Sequence, residues 1–85
     1  MKENREEIIF YLGIEIIQML ILSKKPIWWL KENLYIDLYY KEVRKLYKDY
    51  KQYDNKNKSL LQNIHDYIYE NEQKILDKII SAFYN

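Results

Sequence analysis

The sequence predicts an all-α fold, a small helical bundle of three long helices plus a short Trp-containing helical turn, with a hydrophobic first helix at its centre. One glycine and one proline in 85 residues leave few loop breakers. Lysine, glutamate, leucine and isoleucine are abundant, which favours helix. Apolar residues also recur at helical spacing in three segments. A chain of this length makes one domain, so residues 1–85 are expected to form a single helical bundle.

Residues 8–22 form the most apolar segment of the chain. Only Gly13, Glu15 and Gln18 fall outside the strongly apolar and aromatic classes. A membrane span needs about 20 apolar residues and would not tolerate a carboxylate near its middle. A pair of strands would need turn residues beside Gly13, and none is present. The segment is therefore predicted to be a helix, and a mostly buried one.

The less apolar residues of this helix share one narrow line on a helical wheel. They are Glu7, Tyr11, Glu15, Gln18 and Lys25. The remaining side chains make roughly two thirds of the circumference apolar, more than the ~100° stripe of a surface helix. Two interpretations of Glu15 and Gln18 stay open. In the first, the line of polar residues faces solvent. In the second, Glu15 is buried and pairs with a basic residue of the second helix or of a partner chain, because a buried carboxylate must be paired or protonated.

The ends of the first helix are marked by capping residues and by proline. Asn4 followed by Glu7 resembles a capping box, and Glu3, Glu6 and Glu7 suit the positive end of the helix dipole. Pro26 predicts that the helix ends near Ser23. Residues 27–30 then make a short turn in which Trp28 and Trp29 cannot face the same way, so one fills the end of the core and the other is partly exposed.

The second long helix is predicted over residues 34–53. Its packing seam has the 4-3-4-3 spacing of a coiled coil and is widened by three neighbours. The seam is Tyr39, Val43, Leu46, Tyr50 and Tyr53, and the neighbours are Ile36, Tyr40 and Tyr47. Tyrosines interleaved with basic residues off the seam predict a second-ranked function, binding of nucleic acid by stacking and phosphate contacts. The residues concerned are Lys41, Arg44, Lys45, Tyr47, Lys48 and Lys51.

The polar residues 54–58 predict a loop, and Ser59 with Gln62 predicts the cap of a third long helix. Its apolar face is expected to include Leu61, Ile64, Ile68, Ile75, Ile79 and Ala82, broadened by Leu60, Tyr67, Leu76, Ile80 and Phe83. Residues 70–74 carry no apolar side chain. A helix that continues through them must turn Asn71 or Glu72 toward a neighbour, or it kinks there.

No arrangement of residues predicts catalysis, a metal site or a cofactor site. Cysteine is absent, which removes thiolate ligands and disulfides and fits a reducing compartment. His65 is the single histidine and lacks a nucleophile or a second ligand at a useful spacing, so a surface or packing role is expected. The net charge of +1 gives no global attraction to nucleic acid or anionic lipid. Without a secretory pattern, a cytoplasmic location is expected and a membrane partner is not.

These observations predict a non-enzymatic protein–protein interaction module. A bundle of three helices covers about half of the first helix, which is less than its apolar arc, so a second copy or a partner protein is expected to cover the rest. Partner contacts are assigned to Trp28, Trp29, Glu15 and Gln18. The composition resembles that of small Lys-, Tyr- and Ile-rich helical accessory and mobile-element proteins of AT-rich bacteria and phages, and bacteriocin immunity proteins share the helical-bundle format. By this analogy a small adaptor, inhibitor or immunity-type accessory protein is expected, acting as a homodimer. No family motif is present.

Overall fold

The computed structural model describes residues 4–84, and these residues form helices joined by turns, with no strand among them. Helix α1 spans Arg5–Leu22, α2 spans Asn33–Tyr50, α3 spans Leu60–Glu70 and α4 spans Glu72–Tyr84. Short 3-10 turns, Trp28–Lys31 and Lys51–Tyr53, precede and extend α2. The prediction of an all-α chain is confirmed. No helix within residues 4–84 is both long enough and apolar enough to cross a membrane.

Both ends of α1 are closed by local hydrogen bonds. The Asn4 side chain caps the helix by accepting from Glu6 N at 2.9 Å. At the other end Lys25 N donates to Leu20 O and Lys24 N donates to Ile21 O, at 2.9 and 3.0 Å. This pair of bonds is a Schellman motif, which usually has glycine at the position where this chain has Lys24. Lys24 accordingly has a positive φ of 56°.

All four helices contribute to one core. Helix α1 supplies its largest share, Ile8, Ile9, Leu12, Ile16, Met19 and Leu20. Trp29 is fully buried, its ring stacks on Phe83 with centroids 3.9 Å apart, and its indole N–H donates to Pro26 O at 3.1 Å. Trp28 is 54% exposed. The prediction that the two tryptophans would separate in this way is confirmed.

The α1–α2 contact depends on the one glycine of the chain. The Tyr39 hydroxyl donates to Gly13 O across this contact. A Cβ at Gly13 would lie 2.5 Å from Cε1 of Tyr40, so the Tyr40 ring occupies the space that a side chain would need. Burial raises the pKa of Tyr39 far above its usual value, with a smaller contribution from Tyr40. The hydroxyl therefore stays protonated and able to donate.

Three details of α2 and α3 differ from the predicted pattern. Tyr53, Ile36 and Leu61 were expected in the apolar faces, but they are 39%, 39% and 57% exposed. Tyr53 lies in the 3-10 turn that ends α2, where the helical seam no longer continues. Leu61 lies in the first turn of α3, directly after the exposed residues 55–59. The rest of the α2 seam is buried.

The expected third long helix is two helices, which corrects the prediction of three. Asn71 leaves helical geometry, with φ −117° and ψ 25°, and its side-chain amide donates to Tyr67 O at 2.8 Å. Tyr67 O also accepts from Asn71 N at 3.1 Å, so the side-chain bond adds to the last backbone bond of α3, as asparagine commonly does at helix ends. Asn71 O then accepts from Ile75 N, so α4 begins without an intervening loop. The break is the kink that the polar residues 70–74 suggested.

Candidate interaction surface

Four apolar residues on one side of α1 are not fully buried, although one of them, Ile17, packs against the core. They are Phe10, Ile14, Ile17 and Ile21, here called the α1 stripe. Phe10 and Ile21 are 52% and 54% exposed, and Ile14 and Ile17 are partly exposed. Their 4-3-4 spacing places all four on one face of the helix, and this is the spacing of a coiled-coil seam. The stripe is the part of the predicted apolar arc that the chain leaves uncovered.

Helix α2 borders the stripe near Phe10. The Tyr40 and Phe10 rings lie nearly parallel, 6° apart, with centroids separated by 6.5 Å. Beside them is a cleft of about 230 Å³ whose lining also includes Ile9 and an ion pair between Arg44 and Glu6 at 3.4 Å. An apolar strip with a charged margin is the arrangement found where two protein surfaces meet.

The line that contains Glu15 and Gln18 runs along the other side of the stripe. Gln18 is exposed and Glu15 is partly exposed. Within residues 4–84, Glu15 forms no salt bridge, so the proposed pair with a basic residue of α2 is not formed. Leu22 belongs to the same line and is 72% exposed. Solvent exposure is therefore the better description of this line, and its polar residues form a margin of the stripe.

The two tryptophans predicted to bind a partner have different environments. Trp29 is buried in the core, so the structure leaves only Trp28 accessible. Trp28 packs edge-on against Tyr35, with ring centroids 6.2 Å apart, and Tyr35 is itself 38% exposed. This exposed pair is a second apolar surface, smaller than the α1 stripe.

The basic residues of α2 and Lys51, in the 3-10 turn that follows it, are all exposed, as the nucleic-acid alternative requires. Three of them are engaged within the chain. Arg44 pairs with Glu6, Lys45 with Glu42 at 2.9 Å and Lys51 with Asp54 at 3.4 Å. Lys41 and Lys48 form no salt bridge within residues 4–84. The Tyr47 ring has the Arg5 guanidinium over it at 5.1 Å, so one face of that ring is covered and cannot stack on a base.

Polar networks elsewhere hold the helices together. Asp49 accepts from the Tyr67 hydroxyl at 3.0 Å and from Lys74 Nζ at 3.1 Å, which joins α2, α3 and α4. Burial alone would raise the Asp49 pKa, but hydrogen bonds from Lys74 and Tyr67 outweigh it and the pKa is lowered. Burial, and then the bond to Asp49, raises the pKa of Tyr67. The network links three helices through one carboxylate.

The buried Asn63 was not predicted and has a clear structural role. It is 3% exposed. Its side-chain amide donates to Asp54 Oδ1 and Asn55 O, and its carbonyl accepts from Asn55 N, all at 3.0–3.1 Å. The asparagine thus satisfies the backbone of the loop between α2 and α3. A buried amide below a polar loop leaves no periodic signal in a sequence, so pattern alone could not identify it.

Two further features are a groove between α2 and α4 and the histidine of α3. A groove of about 550 Å³ between α2 and α4 is lined by residues of both charges, Glu42, Lys45, Leu46, Asp77, Lys78, Ser81 and Ala82. His65 is exposed and lies against the Tyr69 ring, with centroids 4.4 Å apart. Among residues 4–84 no group of three His, Asp or Glu side chains is placed to hold a metal ion.

The fold and surface define a small all-helical protein with an uncovered apolar strip. Comparison of the chain with protein-family models, with curated proteins and with solved structures found no match.

Proposed function

We propose that this chain is a non-enzymatic protein–protein interaction module that binds through the α1 stripe. The observation that supports the proposal is the position of the stripe on a helix that is otherwise central to the core. Phe10 and Ile21 are each more than half exposed, although seven residues of the same helix are buried. An aligned apolar strip on a small protein, margined by charges, is a common feature of binding surfaces.

The proposed role is that of an adaptor, inhibitor or immunity-type accessory protein that needs no cofactor. An ordered helix presents the stripe at fixed spacing, so a partner can insert its own apolar side chains between those of α1 without first ordering the segment. Trp28 provides a further contact for a partner that extends beyond the end of α1. Gln18 and the partly exposed Glu15 provide the polar margin. We propose a cytoplasmic location for the protein. We also propose that α1 is the central helix of the bundle.

The test compares two substitutions of matched exposure. Ile21 and Leu61 are 54% and 57% exposed, the first in the stripe and the second on α3. Proteins captured from the native host with the wild-type chain are purified, and their affinities are then measured against wild type, Ile21→Lys and Leu61→Lys. Ile21→Lys is expected to weaken binding at least tenfold because a lysine ammonium would be buried in the contact, and Leu61→Lys is expected to bind as wild type. Binding that survives both Ile21→Lys and Ile14→Lys would exclude the stripe.

Nucleic-acid binding by α2 is the second candidate, supported by the exposure of Lys41 and Lys48 without an internal counter-ion. We rank it lower because Arg44, Lys45 and Tyr47 are already engaged. Fluorescence anisotropy with single-stranded and duplex oligonucleotides at low salt tests it. Micromolar binding that weakens steeply with salt and disappears when Arg44, Lys45 and Lys48 are changed together to glutamate would place this function first.

A further inference from the structure

We infer that the occupant of the α1 stripe is the α1 stripe of a second copy of this chain, packed antiparallel. This inference rests on the proposed function and specifies the partner. The 4-3-4 spacing of Phe10, Ile14, Ile17 and Ile21 reads the same in both directions. Its midpoint lies between Ile14 and Ile17. A two-fold axis at that midpoint therefore superposes the stripe on itself, which is the requirement of a symmetric dimer interface.

The register that follows has four apolar layers. Phe10 of each copy faces Ile21 of the other, and Ile14 faces Ile17. Each outer layer pairs a large aromatic ring with a branched aliphatic side chain, and both members are more than half exposed in the single chain. The two inner layers pair partly exposed isoleucines. Every member of the stripe thus acquires a neighbour, and none is left unpaired at an end.

The charges beyond the stripe favour the antiparallel direction. Glu7 lies in the first turn of α1, three residues before Phe10, and Lys24 follows the C-terminal end of the helix, where its positive φ takes it out of helical geometry. Both residues are exposed. In the antiparallel register the first turn of each α1, which contains Glu7, lies near Lys24 and Lys25 at the end of the other copy's helix. A parallel pair would instead place Glu7 beside Glu7 and Lys24 beside Lys24. The antiparallel pair also sets the positive end of each helix dipole beside the negative end of its partner.

The size of the stripe indicates a weak dimer. From Phe10 to Ile21 the helix rises about 16 Å at 1.5 Å per residue. An interface this short, with the two margins included, falls at or below the lower end of the usual range of about 1,200–2,000 Å² in total. We therefore expect association at micromolar concentration, with a melting temperature that rises with protein concentration.

Disulfide trapping tests the register directly because the chain has no cysteine of its own. Three samples are oxidised under the same mild conditions: Phe10→Cys alone, Ile21→Cys alone, and an equimolar mixture of the two variants. In the antiparallel register identical positions are about 16 Å apart, whereas Phe10 and Ile21 of different copies face each other. A disulfide requires Cα atoms within about 7 Å. The mixture is expected to cross-link and the single variants are not.

The opposite trapping result would overturn the inference. A parallel dimer cross-links each single variant and leaves the mixed pair apart. Random collision cross-links all three samples equally. A chain that stays monomeric by light scattering at millimolar concentration also rejects self-pairing. The proposed function would still hold if a purified host partner binds Leu61→Lys as it binds wild type and fails to bind Ile21→Lys. Failure of self-pairing can therefore be distinguished from failure of the proposed function.

A charge exchange gives an independent measurement. Glu7→Lys and Lys24→Glu each place like charges side by side in the antiparallel register, so each is expected to weaken the dimer several-fold at low salt. The double variant Glu7→Lys/Lys24→Glu restores opposite charges and is expected to recover wild-type affinity. Melting curves of diluted monomer verify that both single variants fold. Failure of the double variant to recover, with both singles weakened, would contradict the register.

Discussion

Replacing either of two adjacent tryptophans provides a direct test of the core. Trp29 is fully buried, stacks on Phe83, lies 5.7 Å from the Tyr39 ring centroid and satisfies its indole N–H with Pro26 O. Trp28 is its matched control, because it is the same residue type one position away and is 54% exposed. We expect Trp29→Ala to be strongly destabilising and Trp28→Ala to be mild.

The magnitude follows from the burial of the two side chains. A buried aromatic side chain removes about 150–250 Å² from water, which at about 25 cal/mol per Å² corresponds to about 4–6 kcal/mol. Partial collapse of the site brings the expected cost of Trp29→Ala to about 3–5 kcal/mol. A domain of this size has a total stability of about 4–13 kcal/mol. Trp28→Ala removes a half-exposed ring and one edge-on contact with Tyr35, for which we expect about 1 kcal/mol.

Urea unfolding followed by circular dichroism at several protein concentrations measures both variants. Equal m-values show that the free energies of unfolding can be compared. Tryptophan fluorescence provides a second observable, since Trp28→Phe leaves the buried Trp29 as the only emitter and should shift emission to the blue. If Trp28→Ala and Trp29→Ala cost the same within about 0.5 kcal/mol, the assignment of Trp29 to the core is wrong.

Three further perturbations test other parts of the fold. Ile16→Asp places a carboxylate at a fully buried position of α1 and should unfold the protein in thermal melts, whereas Glu15→Ala should shift the melting temperature little; equal melts would reject the buried face of α1. Lys24→Gly removes the cost of a side chain at positive φ and should stabilise by about 0.5–1 kcal/mol in urea titrations, so a destabilised variant would contradict the Schellman geometry. The pKa of Asp49 is lowered in the folded protein, so its carboxylate contributes stability that is present above the ordinary pKa of 3.8 and is lost as pH falls through the lower pKa of the folded state. Asp49→Asn should therefore be destabilising near about pH 7 and much less so near about pH 2. An equal cost at both pH values would count against this network.

Local chemistry explains which parts of the fold were predictable. The cap at Ser59 was expected from its spacing to Gln62, and Ser59 Oγ accepts from Gln62 N at 3.2 Å. Asn4 caps α1 as expected, but its side chain accepts from Glu6 N and not from Glu7 N as in a capping box. Capping signals depend on residues within one helical turn of each other, so they can be identified from the sequence without knowledge of the rest of the fold.

Features that depend on where a helix ends were not predictable to the same degree. The break at Asn71 was one of two outcomes compatible with residues 70–74, and the Asn71 bond to Tyr67 O decides between them. The location of Tyr53 in a 3-10 turn required knowledge of where α2 ends. Helix ends and hydrogen-bonded loops are determined by competition between local and tertiary bonds, which hydrophobic periodicity does not record.

The surplus of apolar surface on α1 connects the sequence to the proposed function. Periodicity alone indicated that about two thirds of the helix is apolar, which is more than a small bundle covers. The structure shows which apolar side chains of α1 the rest of the chain covers and which it leaves exposed. Gly13 admits the Tyr40 ring against the helix, which covers part of the arc near Phe10. Helix α3 and the other core residues cover the opposite side. Within residues 8–21 the uncovered remainder is the α1 stripe, a strip one side chain wide, and the exposed Leu22 lies at its margin. A strip of that width can be covered by a single additional helix, and this is why the proposed partner is a helix and not a broad surface.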